Sequence, residues 1–277
     1  MPRAALLPSL FVCGLVSAGA DNWPNWRGPA YNGVAPGKGY PATWSETSNV
    51  VWKVELPGQG ASTPAVWGDR IYLTCGIDGK NAAVGLDRQG KLLWKTIVGQ
   101  ERAGKHKKAT GSNPSATTEG ERVYVYFKSG DLACLDTAGK MAWRQNLQSL
   151  YGEDTLWWDL GTSPVLTKDN VVVAVMQTGP SYLAAFNKQT GKLAWKQDRN
   201  LNAPKEAAQS YSTPIVVDDG GRETLVVLGA DHVTSHDAAT GSELWRVPGL
   251  NPTGHEFFRS ISSPVVADGI AVAPYAR

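Results

Sequence analysis

The stretch LDRQGKLLW, residues 86–94, decides the fold of this chain. It returns as LDTAGKMAW at 135–143, FNKQTGKLAW at 186–195 and HDAATGSELW at 236–245. In each copy an Asp or Asn side chain can accept backbone N–H bonds, and a Gly supplies the positive φ that closes a tight turn. Each copy therefore predicts a β-hairpin whose outgoing strand carries a tryptophan, with its ring available to pack between neighbouring sheets.

A ladder of prolines accompanies these hairpins. It comprises Pro64, Pro114, Pro164, Pro214 and Pro264, spaced fifty residues apart, each after a pair of Ser, Thr or Asn residues. After each proline come a short apolar stretch, a polar turn and a strand of alternating character, as in 122–126. Each unit thus holds four short strands, A to D. This period predicts an all-β fold, a β-propeller of four-stranded blades, because an ordinary β-sandwich does not account for a shared period.

The hairpin pattern Asp-x-x-(x)-Gly-Lys-x-x-Trp resembles the repeats of the pyrroloquinoline quinone (PQQ)-like propeller family. That family includes the quinoprotein alcohol dehydrogenases and the outer-membrane assembly lipoprotein BamB. The opening WPNWRGP at 23–29, followed by VWK at 51–53, is similar to exported PQQ-like proteins of planctomycete type. The resemblance covers residue 23 to the end of the chain and implies a ring of about eight blades.

Counted against that ring, the chain is expected to be incomplete. Trp52 ends a lone strand D, four blades follow, and another blade begins at Ser262. We expect a partial, truncated eight-bladed ring, since an open arc leaves sheet edges uncovered. The alternative is a five-bladed ring, in which the last two strands pair with the Trp52 strand.

Three segments follow from these patterns. Residues 1–20 are predicted to be a signal peptide, with Arg3, an apolar run too short to span a bilayer, and a small-residue cleavage pattern at 18–20. Residues 21–48 form an N-terminal extension, and residues 49–277 form the propeller. The mature chain is expected in the periplasm or cell envelope, or secreted. A lipoprotein cleavage site at Cys13 is the weaker alternative, because Phe and Val fit poorly beside it.

Composition narrows the class of partner. The 277 residues carry a net charge of +2, with 42% hydrophobic and 19% charged residues, which indicates a buried core and favours neither nucleic acid nor an anionic membrane. Cys75 and Cys134 lie in apolar strand-like segments and are predicted to be buried free thiols; a disulfide is the alternative in an oxidising compartment. Without a histidine cluster they do not make a zinc site.

The candidate site comes from propeller topology. The loops before strand A and between strands B and C lie on one face, and loops on a rigid scaffold carry function. The predicted ligand-binding residues on this face are His106, Lys108, Trp157, Trp158, Asp159, Glu206, Gln209, Tyr211, Glu256 and Arg259. Neighbouring positions are Lys128, Asp131, Gln177, Asp231, His232, His255, Phe257 and Phe258. Such a mixed set suits a polar ligand, a sugar or a peptide segment. The alternative is ordinary loops with solvated charges and packed aromatics.

The sequence is compatible with two functions. The resemblance to BamB implies an exported, non-catalytic scaffold or binding module, with a protein or small polar ligand as partner and no cofactor. The alternative is a PQQ-dependent alcohol or sugar dehydrogenase. The family's enzymes use adjacent cysteines, a stacking Trp, calcium ligands and an Asp base; this chain has no adjacent cysteines. In that alternative Trp157 or Trp158 stacks on the quinone, Glu206 or Asp159 binds calcium, and missing blades complete the site. No catalytic residue or metal ligand is assigned.

Overall fold

The computed structural model describes residues 22–275. The predicted signal peptide and the lipidation alternative at Cys13 lie outside these residues. The first two blades comprise β1 (Ala65–Trp67), β2 (Arg70–Ile77), β3 (Lys80–Asp87), β4 (Leu92–Gln100), then β5 (Thr117–Thr118), β6 (Arg122–Tyr126), β7 (Asp131–Asp136) and β8 (Met141–Asn146). The next two comprise β9 (Val165–Leu166), β10 (Asn170–Val175), β11 (Tyr182–Asn187), β12 (Leu193–Asp198), then β13 (Ile215–Asp219), β14 (Arg222–Gly229), β15 (His232–Asp237) and β16 (Glu243–Val247). A fifth sheet holds β17 (Val265–Ala267) and β18 (Ile270–Val272).

The strands form four-stranded antiparallel sheets in simple chain order, followed by the two-stranded sheet. Helical structure in the described chain is limited to α1 (Leu147–Tyr151) and a 3-10 turn at Lys205–Ala208, and no helix there is long and apolar enough to cross a membrane. Strands β1, β5, β9 and β13 lie next to one another in sequence order, so strand A is innermost in each blade. The prediction of a propeller of four-stranded blades is confirmed.

The hairpin between strands C and D forms as the repeated stretch predicts. Asp87 Oδ1 accepts hydrogen bonds from the backbone N–H groups of Gln89 and Lys91, both at 2.9 Å. Gly90 takes a φ of 81°, in the left-handed region that a side chain disfavours. The other three copies repeat the Asx bond and the positive-φ glycine.

Each tryptophan of strand D docks on the hairpin of the next blade. The Trp94 indole Nε1–H donates to the Thr137 carbonyl at 3.0 Å, and its ring lies over Gly139. A Cβ on that glycine would stand 2.5 Å from the ring. The same pairing joins Trp143 to Gly191 and Trp195 to Gly241. The glycine is thus required for two reasons. It provides the positive φ of the turn, and it leaves room for the tryptophan of the preceding blade.

Replacing Gly139 with alanine tests this double role. We expect the free energy of unfolding to fall by about 2–3 kcal/mol, since the substitution adds left-handed strain and a steric clash. Gly79→Ala is the matched control, because Gly79 also has a positive φ of 71° but no atom within 4 Å of its would-be Cβ. Denaturant unfolding measures both; equal losses would show that the tryptophan seat adds nothing.

Both cysteines among the described residues are free thiols. Cys75 and Cys134 are both buried and unbonded to each other, as predicted, and the disulfide alternative is wrong. Burial raises the pKa of both thiols, which keeps them protonated and unreactive.

The prediction that Pro114 belongs to the proline ladder is wrong for the second blade. Thr117 of β5 occupies the place that Ala65 occupies in β1, as their pairing registers show. Ala116, not Pro114, therefore corresponds to Pro64.

A hydroxyl, not the proline, is the constant feature at the start of strand A. The backbone N–H of one blade donates to the hydroxyl of the next, at 2.8 to 3.0 Å, along the series Thr63, Ser115, Ser163, Thr213 and Ser263. A buried N–H needs an acceptor, so this position requires a Ser or Thr hydroxyl. The next residue makes no such bond and does not have to be proline.

The Trp52 strand does not form, because no described strand lies beside residues 50–56 to pair with it. Trp52 still docks like a strand-D tryptophan, donating to the Arg88 carbonyl at 2.7 Å and lying over Gly90. Within residues 22–275, β17 and β18 pair only with each other, so the five-bladed closure is also wrong.

Candidate binding face

The upper face is the set of loops that join strand D of one blade to strand A of the next, with the turns between strands B and C. The joining loops span residues 101–116, 147–164, 199–214 and 248–264. All of the predicted site residues lie on these loops. Contacts such as that from Thr155 N–H to Gln177 Oε1, at 3.1 Å, place the B–C turns on the same face.

Asp159 organises one side of the upper face. Its carboxylate forms an ion pair with Lys128, and the two side chains are only 4% and 2% exposed. It also accepts the backbone N–H groups of Lys105, at 2.8 Å, and His106, at 3.1 Å. Burial opposes ionisation of Asp159, but the bonds from Lys128 and these amides outweigh it and lower its pKa. Asp159 thus holds the loop of residues 101–116 in place.

His106 and Lys108 lie on this basic loop. The His106 Nδ1 accepts the backbone N–H of Lys108 at 3.2 Å, so the histidine closes a local turn. Lys107 and Lys108 are exposed and have no ion-pair partner within residues 22–275. Arg102, by contrast, contacts Glu153 and Gln148.

Glu206 and Arg259 anchor the aromatic side of the face. The buried Glu206 carboxylate accepts from the Trp158 indole Nε1–H and from Arg259, both at 2.9 Å. The Arg259 guanidinium also lies over the Trp158 ring, 5.6 Å from its centroid. The carboxylate oxygen is therefore occupied by a cation and an N–H donor.

Gln209 and Tyr211 fix the backbone at the two adjacent tryptophans. The Gln209 Oε1 accepts from Trp157 N–H and from the Tyr211 hydroxyl, both at 2.9 Å. The Tyr211 oxygen accepts from Trp158 N–H at 3.2 Å. Burial raises the pKa of Tyr211, which keeps its hydroxyl proton available for this bond.

The result is an aromatic patch held rigidly at the surface, formed by Trp157, Trp158 and Phe257. The tryptophans are 47% and 45% exposed, and the Trp157 and Phe257 ring centroids are 6.3 Å apart. His255 and Phe258 stack beside it, with centroids 4.7 Å apart. Large aromatic surface is costly to leave in water, and exposed aromatic clusters of this kind are a common feature of interaction sites.

Sequence reasoning missed two residues of this face. Lys205 pairs with Glu256 at 2.7 Å, and only its position beside Glu206 hinted at it. Arg199 is 1% exposed and donates to the carbonyls of Gly229, Val227 and His232. Burial lowers the pKa of Arg199 to about 9. No motif in the sequence marks a buried arginine that ties two blades together.

The described residues do not fit a PQQ–calcium site. Calcium takes six or more oxygen ligands, several of them carboxylates. The two carboxylates considered for that role, Asp159 and Glu206, each face a cation of the protein instead. No group of three or more His, Cys, Asp or Glu residues in the described part of the chain is arranged to hold a metal ion.

The fold and the loop-built upper face define a repeat β-propeller. The family model described as outer membrane protein assembly factor BamB matches residues 34–147 and 79–276. The chain belongs to this family of PQQ-like repeat propellers.

Individual relatives agree on the fold. The outer membrane protein assembly factor BamB of Bordetella pertussis is 24% identical over 268 residues, which are 96% of this chain and 59% of the relative. The chain thus spans little more than half the length of that relative. A solved quinohemoprotein alcohol dehydrogenase from Pseudomonas putida HK5 matches with a TM-score of 0.51 at 18% identity, over 80% of this chain and 39% of the other. A europium-containing methanol dehydrogenase matches with a TM-score of 0.54 at 12% identity, over 79% and 47%. At these identities the two structures show the fold alone.

Proposed function

We propose that this chain is a non-catalytic, BamB-like binding module of the cell envelope, which holds a protein partner on its upper face. The observation that carries the proposal is the aromatic patch, whose two tryptophans stand half-exposed on a backbone fixed by Gln209 and Tyr211. Exposed Trp and Arg residues on an ordered scaffold dominate the energy of protein interfaces. The name of the Bordetella relative, an assembly factor, supports a protein partner over a small ligand.

Charge on the same face specifies the partner further. The carboxylates of Asp159, Glu206 and Glu256 are each paired with a cation of the protein. Lys107 and Lys108 remain exposed without such a pair in the described part. Complementary charge steers association and selects between partners. The face therefore suits a segment that carries an apolar or aromatic anchor flanked by acidic residues.

Trp157→Ala tests the patch. We expect affinity for a synthetic peptide of alternating Asp and Phe to fall about tenfold or more, because truncating an interface anchor costs about 2 kcal/mol. The melting temperature should stay nearly unchanged, since the Trp157 side chain is half exposed. Trp158→Ala should also lose binding but cost about 1 kcal/mol of stability through the lost bond to Glu206.

Controls separate binding from packing. Trp44 is 70% exposed and lies outside the upper face, so Trp44→Ala should change neither binding nor melting temperature. A peptide of alternating Lys and Phe should bind weakly. Fluorescence polarisation measures peptide binding, and thermal unfolding followed by circular dichroism measures the melting temperatures. Parallel loss of stability and binding in Trp157→Ala would assign the patch to packing. Saturable binding of PQQ with calcium would favour the dehydrogenase instead.

A further inference from the structure

The motif WPNWRGP at 23–29 supplies none of the predicted ligand-binding residues, and its contacts lie along the inner edge of the blades and at the ends of the loops that lead into them. Residues 22–33, here called the strap, run along the innermost strands of the propeller. We propose that the strap is bound by those strands as an intramolecular clasp, which fixes the spacing of all five described sheets. This inference is independent of the binding function proposed above.

The strap adds backbone pairing to the inner edge of the first blade. Trp23 N–H donates to the Val66 carbonyl at 2.8 Å, and Val66 N–H donates back to Trp23 at 2.7 Å. The amide of Gly68 donates to Asn22 Oδ1 at 2.9 Å. These bonds satisfy donors and acceptors on a strand edge that has no other strand of its own sheet beside it.

The second blade is held in the same way. Thr118 N–H, in the two-residue strand β5, donates to the Pro24 carbonyl at 2.9 Å. A strand this short gains little from its own sheet, since each ladder bond contributes only modestly. The buried Thr118 amide therefore finds its acceptor on the strap rather than on β6.

Tyr31 reaches the third and fourth blades. Its ring packs against the two core clusters that contain Val165 and Ile215, and its hydroxyl forms a hydrogen bond with the Leu166 backbone. Burial raises the pKa of Tyr31 to about 12. The phenol therefore stays neutral at physiological pH. Its ring packs as an apolar group between the two clusters, and its hydroxyl is the one polar group of the side chain.

Arg27 clasps the fifth sheet. Its guanidinium donates to the carbonyl of Pro264 at 2.9 Å and to that of Ser263 at 3.5 Å, across more than two hundred residues of sequence. The guanidinium also lies 4.4 Å from the centroid of the Trp26 ring. Because β17 and β18 form only a two-stranded sheet, which is marginal alone in water, this anchor should matter most there.

The strap is preorganised for this role. Asn25 accepts from Arg27 N–H at 3.0 Å and donates to the Gly28 carbonyl at 2.8 Å, which closes a compact turn. Gly28 has a φ of 75°, and a Cβ there would stand 2.7 Å from the Trp23 ring. A preformed turn loses less conformational entropy when it binds.

Through Trp26, the strap also borders a cavity. Its side chain forms one wall of a cavity of about 240 Å³, whose other walls are the residues just before the five strands A. The hydroxyl series from Thr63 to Ser263 lines this cavity. The strap therefore lines the same cavity as the residues that lead into the five strands A.

Residue-level hydrogen exchange on the full chain tests the clasp. In Gly28→Ala, which disrupts the turn, the amides of Val66, Gly68 and Thr118 should exchange about tenfold faster or more, because their acceptors lie on the strap and local opening sets their rate. In Arg27→Ala the same increase should appear in residues 265–272.

Arg246→Ala is the matched control, since Arg246 is half exposed and, among the described residues, its ion pair is with nearby Glu243; it should alter neither region. Circular dichroism confirms that each variant is folded. If Gly28→Ala does not fold, Arg27→Ala decides the matter. Unchanged exchange in residues 265–272 of Arg27→Ala, or unchanged amides at Val66 and Thr118 in a folded Gly28→Ala, would overturn the clasp.

Discussion

Replacing Lys128 with methionine is expected to destabilise this protein by about 3–5 kcal/mol, the usual cost of leaving one member of a buried ion pair unpaired. The variant leaves the Asp159 carboxylate, only 4% exposed, without its cation. The carbonyl of Ala103, which accepts from the Lys128 ammonium at 2.7 Å, loses its donor as well. Urea or thermal unfolding followed by circular dichroism measures the loss.

Two comparisons sharpen this result. The double variant Lys128→Met with Asp159→Asn should recover part of the loss, because it removes the unpaired charge. The folded-state pKa of Asp159 lies below its unfolded value, so its contribution is present above an unfolded pKa of about 3.9 and disappears as pH falls through the lower folded value. Asp159→Asn should therefore flatten stability against pH in that acidic window. An unchanged acid transition would contradict the assigned role.

Replacing Trp195 with alanine is expected to cost a similar amount, about 3–5 kcal/mol, through the cavity left in a packed core. This side chain is 9% exposed, lies over Gly241 and donates to the Ala238 carbonyl at 3.1 Å. It thereby joins the third blade to the fourth. Loss of the ring removes both the packing and the bond across that junction.

Trp245 provides the matched control. It occupies the same position in the repeated hairpin, yet it is 42% exposed. Trp245→Ala should therefore cost far less than Trp195→Ala in this chain. Similar losses at both positions would mean that the effect belongs to the hairpin itself rather than to the junction between blades.

The blades were predictable because their signal is local. The Asp87 side chain, Gly90 and Trp94 lie within eight residues of sequence, and turn chemistry, strand alternation and tryptophan position all act over that distance. The error at Pro114 has the same origin. Fifty-residue spacing places it in the ladder, but the register of β5 is set by pairing with β6 and by the hydroxyl of Ser115, which accepts the Thr63 N–H.

The sequence predicted which residues lie on the candidate face but not which contacts each of them makes. Topology alone placed Trp157, Glu206 and Arg259 on neighbouring loops, because the order of strands A to D fixes which ends meet. Their positions within the face were not predictable, since Glu206 pairs with Arg259 and Trp158, while the Trp157 ring stays half exposed beside Phe257. That division depends on distances of a few ångströms between loops about fifty residues apart.

By itself, then, the amino-acid sequence determined the blade, its turns and the position of each tryptophan, because those features depend on residues close together in the chain. Tertiary structure alone decided where each tryptophan docks and that Lys128 neutralises Asp159. It also decided that residues 22–33 reach from Val66 to Pro264. The reason is physical: hydrogen bonds and ion pairs between distant segments form only when the sheets bring them within a few ångströms, and nothing in local sequence encodes that approach.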